Sequence, residues 1–187
     1  MLVTSEQPDA GAAPRYSMTS RYTVRPMTSD DFPLLQKLES EIWGSQGELM
    51  LCPHYLRLCV EQFGDVCFLA FDGDRPVGYV LNILRGKVAH CGTLAVLPDY
   101  RRTRVTFMLI AAMTERMLTL DIGECWFTVS PENDDALAVH MGLGAHFVAQ
   151  REHYYGPGDT RLLGKIDLHN ATRLQARFSR RRREAAA

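Results

Sequence analysis

Three short apolar segments separated by tight turns constrain the fold of this chain more than any other feature. Residues 66–71 form one continuous apolar run, and residues 77–84 and 88–96 form two further, mostly apolar segments. The two connections between them are short and each carries a glycine, which is typical of hairpin turns. The pattern therefore predicts three consecutive antiparallel strands, whose apolar faces need helices to cover them.

Further elements are predicted on either side of this meander. Hydrophobic periodicity predicts strands over residues 22–25, 125–129, 146–148 and 161–166, and helices over residues 32–42, 55–63, 105–117 and 131–141. This order predicts an α/β domain. Its central sheet is mixed but mostly antiparallel, with six to seven strands and with helices on both faces.

Length and charge favour one ordinary globular domain with two tails. The chain has 187 residues and a net charge of -1, which gives no electrostatic reason to expect a nucleic acid or a membrane surface as partner. We predict a disordered segment over residues 1–20, a folded domain over residues 21–167 and an Arg-rich tail over residues 168–187. Leu174 and Phe178, four residues apart, favour a short helix before the basic run. We interpret the run as a solvated tail, with nucleic-acid binding as the alternative.

Cysteine and histidine usage argues against disulfide bonds and metal sites. The five cysteines form no CxxC pair, and the chain shows no export signal, so reduced thiols and a cytoplasmic location are expected. The six histidines are scattered, without the spacing of metal ligands. We predict no metal.

The segment over residues 94–106 carries the clearest chemical signal. A strand ends, the chain turns at Pro98, and a long apolar helix begins. Free backbone N–H groups and the helix dipole at such a junction form an anion site that suits a pyrophosphate. The side chains of Arg101, Arg102, Thr103 and Arg104 add positive charge and a hydroxyl group.

Two motifs in this order resemble the GNAT superfamily of acyl-CoA-dependent N-acyltransferases. The first is the run from Val96 through Pro98 and Tyr100 to Arg101, which enters the apolar helix. The second is the run over residues 129–133, followed by Ala136, Val139, His140, Leu143 and Gly144. The resemblance covers about residues 22 to 166. It implies a GNAT-like fold and transfer of an acetyl group from acetyl-CoA to a primary amine, by direct attack in a ternary complex.

The resemblance also implies residue roles. Backbone groups of Leu94, Ala95 and Val96 would meet the pantetheine arm, and Asn133 would approach it from the other side. The pyrophosphate would be held by residues of the loop and first helical turn, namely Arg101, Arg102, Thr103, Arg104, Val105 and Thr106.

The sequence departs from the family pattern at two places. Arg104 and Thr106 stand where the family has small residues, and the glycine at the first of these lets phosphates approach the backbone. His140 stands where the family commonly has a tyrosine that protonates the leaving thiolate. A histidine can perform this step, and packing near a helix end is the alternative role.

His90 is the candidate base that deprotonates the amine, with a polar core role as the alternative. Strand alternation predicts that its side chain shares a face with Gly92 and Leu94.

The acceptor site is predicted from the first helices and the last hairpin. By the resemblance these contribute Trp43, Glu41, Glu48, Tyr154 and Tyr155. The Tyr-Tyr hairpin resembles members that acetylate protein N-termini or lysines, whereas residues 55–67 resemble diaminobutyrate acetyltransferases. The acceptor stays open between a small amine and a protein amine, with a small metabolite preferred. A homodimer, a different thioester and a non-catalytic binding domain of this fold also stay open.

Overall fold

The computed structural model describes residues 21–44 and 51–173 of the chain. The segment 1–20, Glu48, Leu174, Phe178 and the basic run lie outside the described residues. The elements are β1 (Tyr22–Pro26), α1 (Phe32–Trp43), α2 (Pro53–Gln62), β2 (Phe68–Asp72), β3 (Arg75–Arg85), β4 (Val88–Val96), α3 (Val105–Thr119), β5 (Glu124–Val129), α4 (Asp134–Gly142), β6 (His146–Arg151) and β7 (Arg161–Asp167). A further helical stretch begins at residue 168 and continues to residue 173.

These strands form one seven-stranded sheet in the order β1-β2-β3-β4-β5-β7-β6. All neighbouring pairs are antiparallel except β4 and β5, which are parallel. The parallel pair arises because α3 crosses over between these two strands. The predicted mixed, mostly antiparallel α/β sheet is thus confirmed.

Helices cover both faces of the sheet. A Cβ atom at Gly78 would lie 3.4 Å from Leu109 of α3, so Gly78 faces α3. The next residue, Tyr79, points the other way and donates a hydrogen bond to Glu39 of α1. The ring of Phe127 stacks on His140 of α4, and the strand registers place this ring on the same face as Gly78. We call the two sides the α1/α2 face and the α3/α4 face.

A β-bulge in β4 overturns one prediction. Leu81 pairs with Thr93, but Asn82 pairs with Cys91, so Gly92 is an extra residue in β4. An extra residue reverses the alternation of side chains beyond it. His90 and Leu94 therefore lie on opposite faces of the sheet, and the prediction that they share one is wrong.

Two local contacts lie at positions where the structure differs from the predictions. A Cβ atom at position 92 would lie 2.3 Å from the hydroxyl of Tyr55, so a larger residue here would have to displace the Tyr55 side chain. Val66, predicted to begin a strand, lies instead in the 3-10 turn Gly64–Val66, and its carbonyl accepts a hydrogen bond from Asn82 at 2.7 Å. Val66 is apolar and buried, and burial alone does not separate a turn from a strand.

Candidate functional site

The strands β4 and β5 diverge and leave an open wedge between their carboxyl ends. The parallel ladder between them stops at the pair Cys91–Phe127. β4 continues as far as Val96 against β3, and β5 continues as far as Val129 against β7. In the described sheet, the edge of β4 that faces β5 beyond Cys91 has no ladder partner, so its backbone groups can bind an extended ligand. The predicted pantetheine contacts on this edge are Leu94, Ala95 and Val96.

The chain leaves the wedge through a tight turn that ends at the N-terminus of α3. The Thr103 hydroxyl donates to the carbonyl of Tyr100 at 2.6 Å and accepts from the amide of Val105 at 3.3 Å. The amides of Thr106 and Phe107 find no acceptor among the described residues. Such first-turn amides attract an anion, because the helix dipole is positive at this end.

Three arginines precede these amides in the turn and at the start of α3. Arg101, Arg102 and Arg104 are all exposed, and within the described part of the chain none of them forms an ion pair. Their guanidinium groups can each make charge-assisted hydrogen bonds to phosphate oxygens. The turn and the first residues of α3 thus form a positively charged site for an anion at the end of the wedge.

The backbone of this turn accommodates the arginine at position 104. Arg104 is the N-cap of α3 and has a right-handed helical conformation, with φ -76° and ψ -11°. Any L-residue adopts this conformation, so the backbone does not require glycine there. The left-handed residue of the turn is Arg102, with φ 61°.

Tyr100 fixes the position of the turn on the sheet. Its hydroxyl donates to Asp72 at 3.0 Å, and Arg21 binds the same carboxylate. The guanidinium of Arg21 holds the pKa of Asp72 below its usual range. The ring of Tyr100 also meets Tyr22 edge to face. The tyrosine of the first sequence motif is therefore an anchor to β1 and β2.

The side chain of Asn133 forms its hydrogen bond at the start of α4 and not with a group in the wedge. Its side-chain oxygen accepts the amide of Ala136 at 3.0 Å, which makes it the N-cap of this helix. The predicted helix start at Pro131 thus shifts to Asp134. The Asn133 side chain is exposed, and its Nδ2 group stays available to a ligand.

His140 lies on the α3/α4 face and packs as an aromatic ring. Its imidazole stacks on Phe127 with ring centroids 3.7 Å apart and planes within 5°. Its Nδ1 atom is buried and has no hydrogen-bond partner among the described residues. Burial lowers the pKa of His140 to about 4. The imidazole is therefore neutral near pH 7.

His90 lies on the opposite face, in a cleft at the base of the wedge. It pairs with Trp126 of β5 and with Ile83 of β3. Burial lowers its pKa, so the imidazole is neutral near pH 7, which is the form that a general base requires. The cleft has a volume of about 310 Å³ and is lined by Ile83, Leu84, Arg85, Val88, His90 and Trp126.

The last hairpin reaches the same face through Tyr155. The Tyr155 hydroxyl lies 2.9 Å from Oγ1 of Thr128, which is two residues from Trp126 along β5. Tyr154 packs edge to face against Tyr155 at 4.8 Å, and both rings are exposed. The sequence analysis does not predict Thr128 and Trp126 as site residues, although alternation along the predicted strand places their side chains on one face of the sheet.

The two α1 residues predicted for the acceptor site lie elsewhere on this side of the sheet. Trp43 donates from Nε1 to the hydroxyl of Tyr79 at 3.1 Å, and Tyr79 in turn donates to the buried Glu39. Glu41 lies 3.9 Å from Lys37 and lines a second cleft, beside Arg75 and Pro76 at the start of β3. That cleft shares no lining residue with the one at His90.

Other kinds of site find little support in the described residues. No three His, Cys, Asp or Glu side chains of residues 21–44 and 51–173 come together as metal ligands would. All five cysteines are free thiols, and burial raises the pKa of Cys125 to about 12. Over the same residues, no helix combines the length and apolar character that crossing a membrane requires.

Comparisons with known proteins agree with this geometry. The family model described as Acetyltransferase (GNAT) family matches residues 29–145. No curated protein sequence matches the chain.

Solved structures of similar fold cover most of the chain. The ribosomal-protein-S18-alanine N-acetyltransferase from Escherichia coli has a TM-score of 0.68 at 16% identity, over 79% of this chain and 94% of that one. Arabidopsis thaliana Naa50, in complex with the bisubstrate analogue CoA-Ac-MVNAL, has a TM-score of 0.70 at 17% identity, over 79% and 99%. Diaminobutyrate acetyltransferase EctA from Paenibacillus lautus, in complex with L-2,4-diaminobutyric acid and coenzyme A, has a TM-score of 0.65 at 15% identity, over 79% and 95%.

Proposed function

The chain belongs to the acetyltransferase (GNAT) family, and from this premise we propose that it acetylates the primary amine of a small molecule with acetyl-CoA. The observation that carries the proposal is the open wedge between β4 and β5, which ends at the cationic N-terminus of α3. An extended arm and a pyrophosphate are the two parts of coenzyme A that such a site fits. The related structures with bound CoA derivatives support this choice of co-substrate.

The proposed co-substrate site uses the backbone more than the side chains. The free edge of β4 at Leu94, Ala95 and Val96 holds the pantetheine arm by hydrogen bonds. The amides of the α3 N-terminus hold the pyrophosphate, and Arg101, Arg102 and Arg104 neutralise its charge. Thr103, Val105 and Thr106 shape the turn. Asn133 offers its free amide group from the other side of the wedge.

Two neutral histidines lie on opposite sides of the proposed reaction site. His90, on the α1/α2 face, accepts a proton from the acceptor amine, directly or through one water molecule. His140, on the α3/α4 face, donates a hydrogen bond from the one N–H group of its neutral ring to the leaving sulfur. Bound acetyl-CoA supplies an activated acetyl thioester. With both substrates held in one cleft, direct transfer needs no nucleophilic side chain.

The size of the acceptor side favours a small molecule over a protein chain. The cleft at His90 has about 310 Å³, which lies at the lower end of the range for small-molecule sites. Tyr155 contacts Thr128 on this face, and Tyr154 packs against Tyr155. A peptide is the alternative acceptor, since the bisubstrate analogue bound to Arabidopsis thaliana Naa50 carries the segment MVNAL.

A calorimetric titration with acetyl-CoA tests the proposal. We expect micromolar binding by the unchanged chain, with a roughly tenfold weaker affinity for Arg104→Ala because one charge-assisted contact is lost. Arg104→Gly should bind no better than Arg104→Ala, since the helical backbone at this position gains nothing from glycine.

The opposite outcome has a definite meaning. If the unchanged chain fails to bind and Arg104→Gly restores affinity, the arginine closes the site. The enzyme function would then give way to a non-catalytic binding domain of this fold. If binding is found, release of free thiol in the presence of candidate amines identifies the acceptor.

A further inference from the structure

We propose that the cleft at His90 and Trp126 binds the body of the acceptor, and that the acceptor is an amine with an aromatic or apolar body and a carboxylate at its far end. This inference rests on the proposed function and specifies its substrate class. It is carried by the continuity of one sheet face, by the lining of the cleft and by one cation that has no carboxylate partner in the described part of the chain.

The first step is the continuity of the face. Trp126 and Thr128 alternate along β5 onto the same side, and His90 is the parallel partner of Trp126. Tyr155 lies against Thr128 at 2.9 Å. A surface therefore runs from the last hairpin past the opening of the wedge and down into the cleft, without crossing the sheet.

The second step is the character of the cleft walls. Ile83, Val88 and the indole of Trp126 give it an apolar lining, and His90 supplies a neutral polar group at the end nearest the wedge. The indole is held in place, since its Nε1 donates to Glu124 at 2.6 Å. A fixed aromatic wall of this kind packs best against a flat or apolar group.

The third step is charge. Lys87 pairs with Asp121, and Lys165 pairs with Glu124 at 2.8 Å beside the Trp126 ring. Arg85 also lines the cleft, but it has no carboxylate partner among the described residues. An exposed guanidinium next to an apolar pocket matches a ligand carboxylate by charge and by shape.

The fourth step is distance. Arg85 is paired with Val88, four residues from Gly92, where the ladder between β4 and β5 has just ended. Four residues of strand span about 13 Å. The acceptor thus has its amine at one end and its carboxylate at the other, no more than about 13 Å away, whereas an α-amino acid carries both groups on one carbon.

Two matched probes test the proposal directly. 4-(2-Aminoethyl)benzoate and 2-phenylethylamine share the amine, the arm and the ring, and differ in the distal carboxylate. Their binding to the full chain is measured by saturation-transfer NMR and calorimetry without acetyl-CoA. We expect the carboxylate probe to bind about fivefold more tightly, the size of an exposed charge pair.

Substitutions assign this preference to the cleft. Arg85→Gln should remove the preference and leave the affinity for 2-phenylethylamine unchanged. Trp126→Leu should weaken both probes about tenfold. Arg116→Gln serves as the control, because it removes an arginine of α3 that pairs with Asp65 on the other face of the sheet. Arg116→Gln should change neither affinity.

Each outcome separates this inference from the proposed function. Equal affinity for the two probes, a preference that survives Arg85→Gln, or no binding of either probe overturns the acceptor inference. Acetyl-CoA binding in the separate titration would still support the enzyme function. A preference that depends on Arg85, together with no acetyl-CoA binding, would retain the cleft as a ligand site and reject the acetyltransferase.

Discussion

The fold changes the acid–base chemistry of the His140 imidazole. Its pKa is lowered to about 4 because it is packed on Phe127 away from water. An unfolded histidine titrates near 6.5, so the unfolded chain takes up this proton first as the pH falls. Stability from this group is complete above pH 6.5 and is lost between about pH 6.5 and pH 4.

We therefore predict that His140→Phe makes unfolding less sensitive to acid. Phenylalanine keeps the stacked ring and removes the titration. Between pH 7 and pH 5, the free energy of unfolding should fall by about 2 kcal/mol less in the variant than in the unchanged chain. Urea unfolding at the two pH values measures the difference. An equal fall in both proteins would show that His140 titrates normally.

The left-handed conformation of Arg102 leads to a second prediction. A side chain at φ 61° costs about 1 kcal/mol, which glycine avoids. Arg102→Gly should raise the free energy of unfolding by about 0.5–1 kcal/mol. Arg102→Ala removes the same guanidinium but keeps the strain, so it should stay near the unchanged value. Urea unfolding of the pair separates backbone from charge, and equal stability of the two variants would contradict the argument.

At the scale of elements, β5, β7 and α4 are in close contact beside the site. A Cβ atom at Gly164 would lie 2.4 Å from Cζ of Phe127, whose other side is occupied by the His140 ring. Gly164→Ala therefore has to displace Phe127 and the helix stacked on it. We expect a loss of about 1–3 kcal/mol in unfolding free energy and weaker acetyl-CoA binding.

A glycine on the helix itself provides the control. Gly142, the last residue of α4, has open space where its Cβ would be. Gly142→Ala should leave stability unchanged or raise it slightly. Thermal unfolding of the two variants side by side tests the packing argument. A loss in Gly142→Ala equal to that in Gly164→Ala would mean that α4 tolerates no change, whatever the contact.

The elements were predictable because their signals are local, whereas the arrangement of the site depends on pairing. The periodicity of the strands and helices, and the hairpin turns, depend on residues that are close together in the sequence. The bulge at Gly92 is not, because it exists only through the register of β4 against β3 and the approach of Tyr55. The faces of His90 and Leu94 could therefore not be assigned by counting residues.

The same distinction applies to the candidate site residues. The turn at Arg101 and Arg104 is recognisable from the residues themselves. The cleft joins Arg85 to Trp126 across three strands, and the sequence separates these residues by forty positions and one helix. Only the sheet order brings them together.

At the scale of the whole molecule, the sheet divides the proposed chemistry between its two faces. The helix that carries the anion site, and His140, lie on the α3/α4 face, and the proposed acceptor surface lies on the α1/α2 face. The wedge between β4 and β5 is the passage through which the two sides meet. This division explains how a co-substrate and an amine approach one point from opposite directions.

The residues that follow β7 bear on where the folded domain ends. The stretch 168–173 carries Leu168 and Ala171, each only 1% exposed, and the amide of Leu168 donates to Gly123 at 2.9 Å. The domain boundary predicted at residue 167 therefore cuts through buried contacts. A chain ending at Asp167 should lose about 2–4 kcal/mol of unfolding free energy, because a leucine and an alanine leave the core.

A chain ending at Arg173 keeps these contacts and removes only the Arg-rich run. We expect it to match the full chain in unfolding free energy and in acetyl-CoA affinity. If the run binds nucleic acid, binding to a DNA duplex falls steeply with salt in the full chain and disappears in the chain ending at Arg173. If the run only promotes solubility, both chains fail to bind at 150 mM salt, which is about physiological ionic strength. Loss of acetyl-CoA binding in the chain ending at Arg173 would contradict both interpretations and assign the tail to the enzyme's own site.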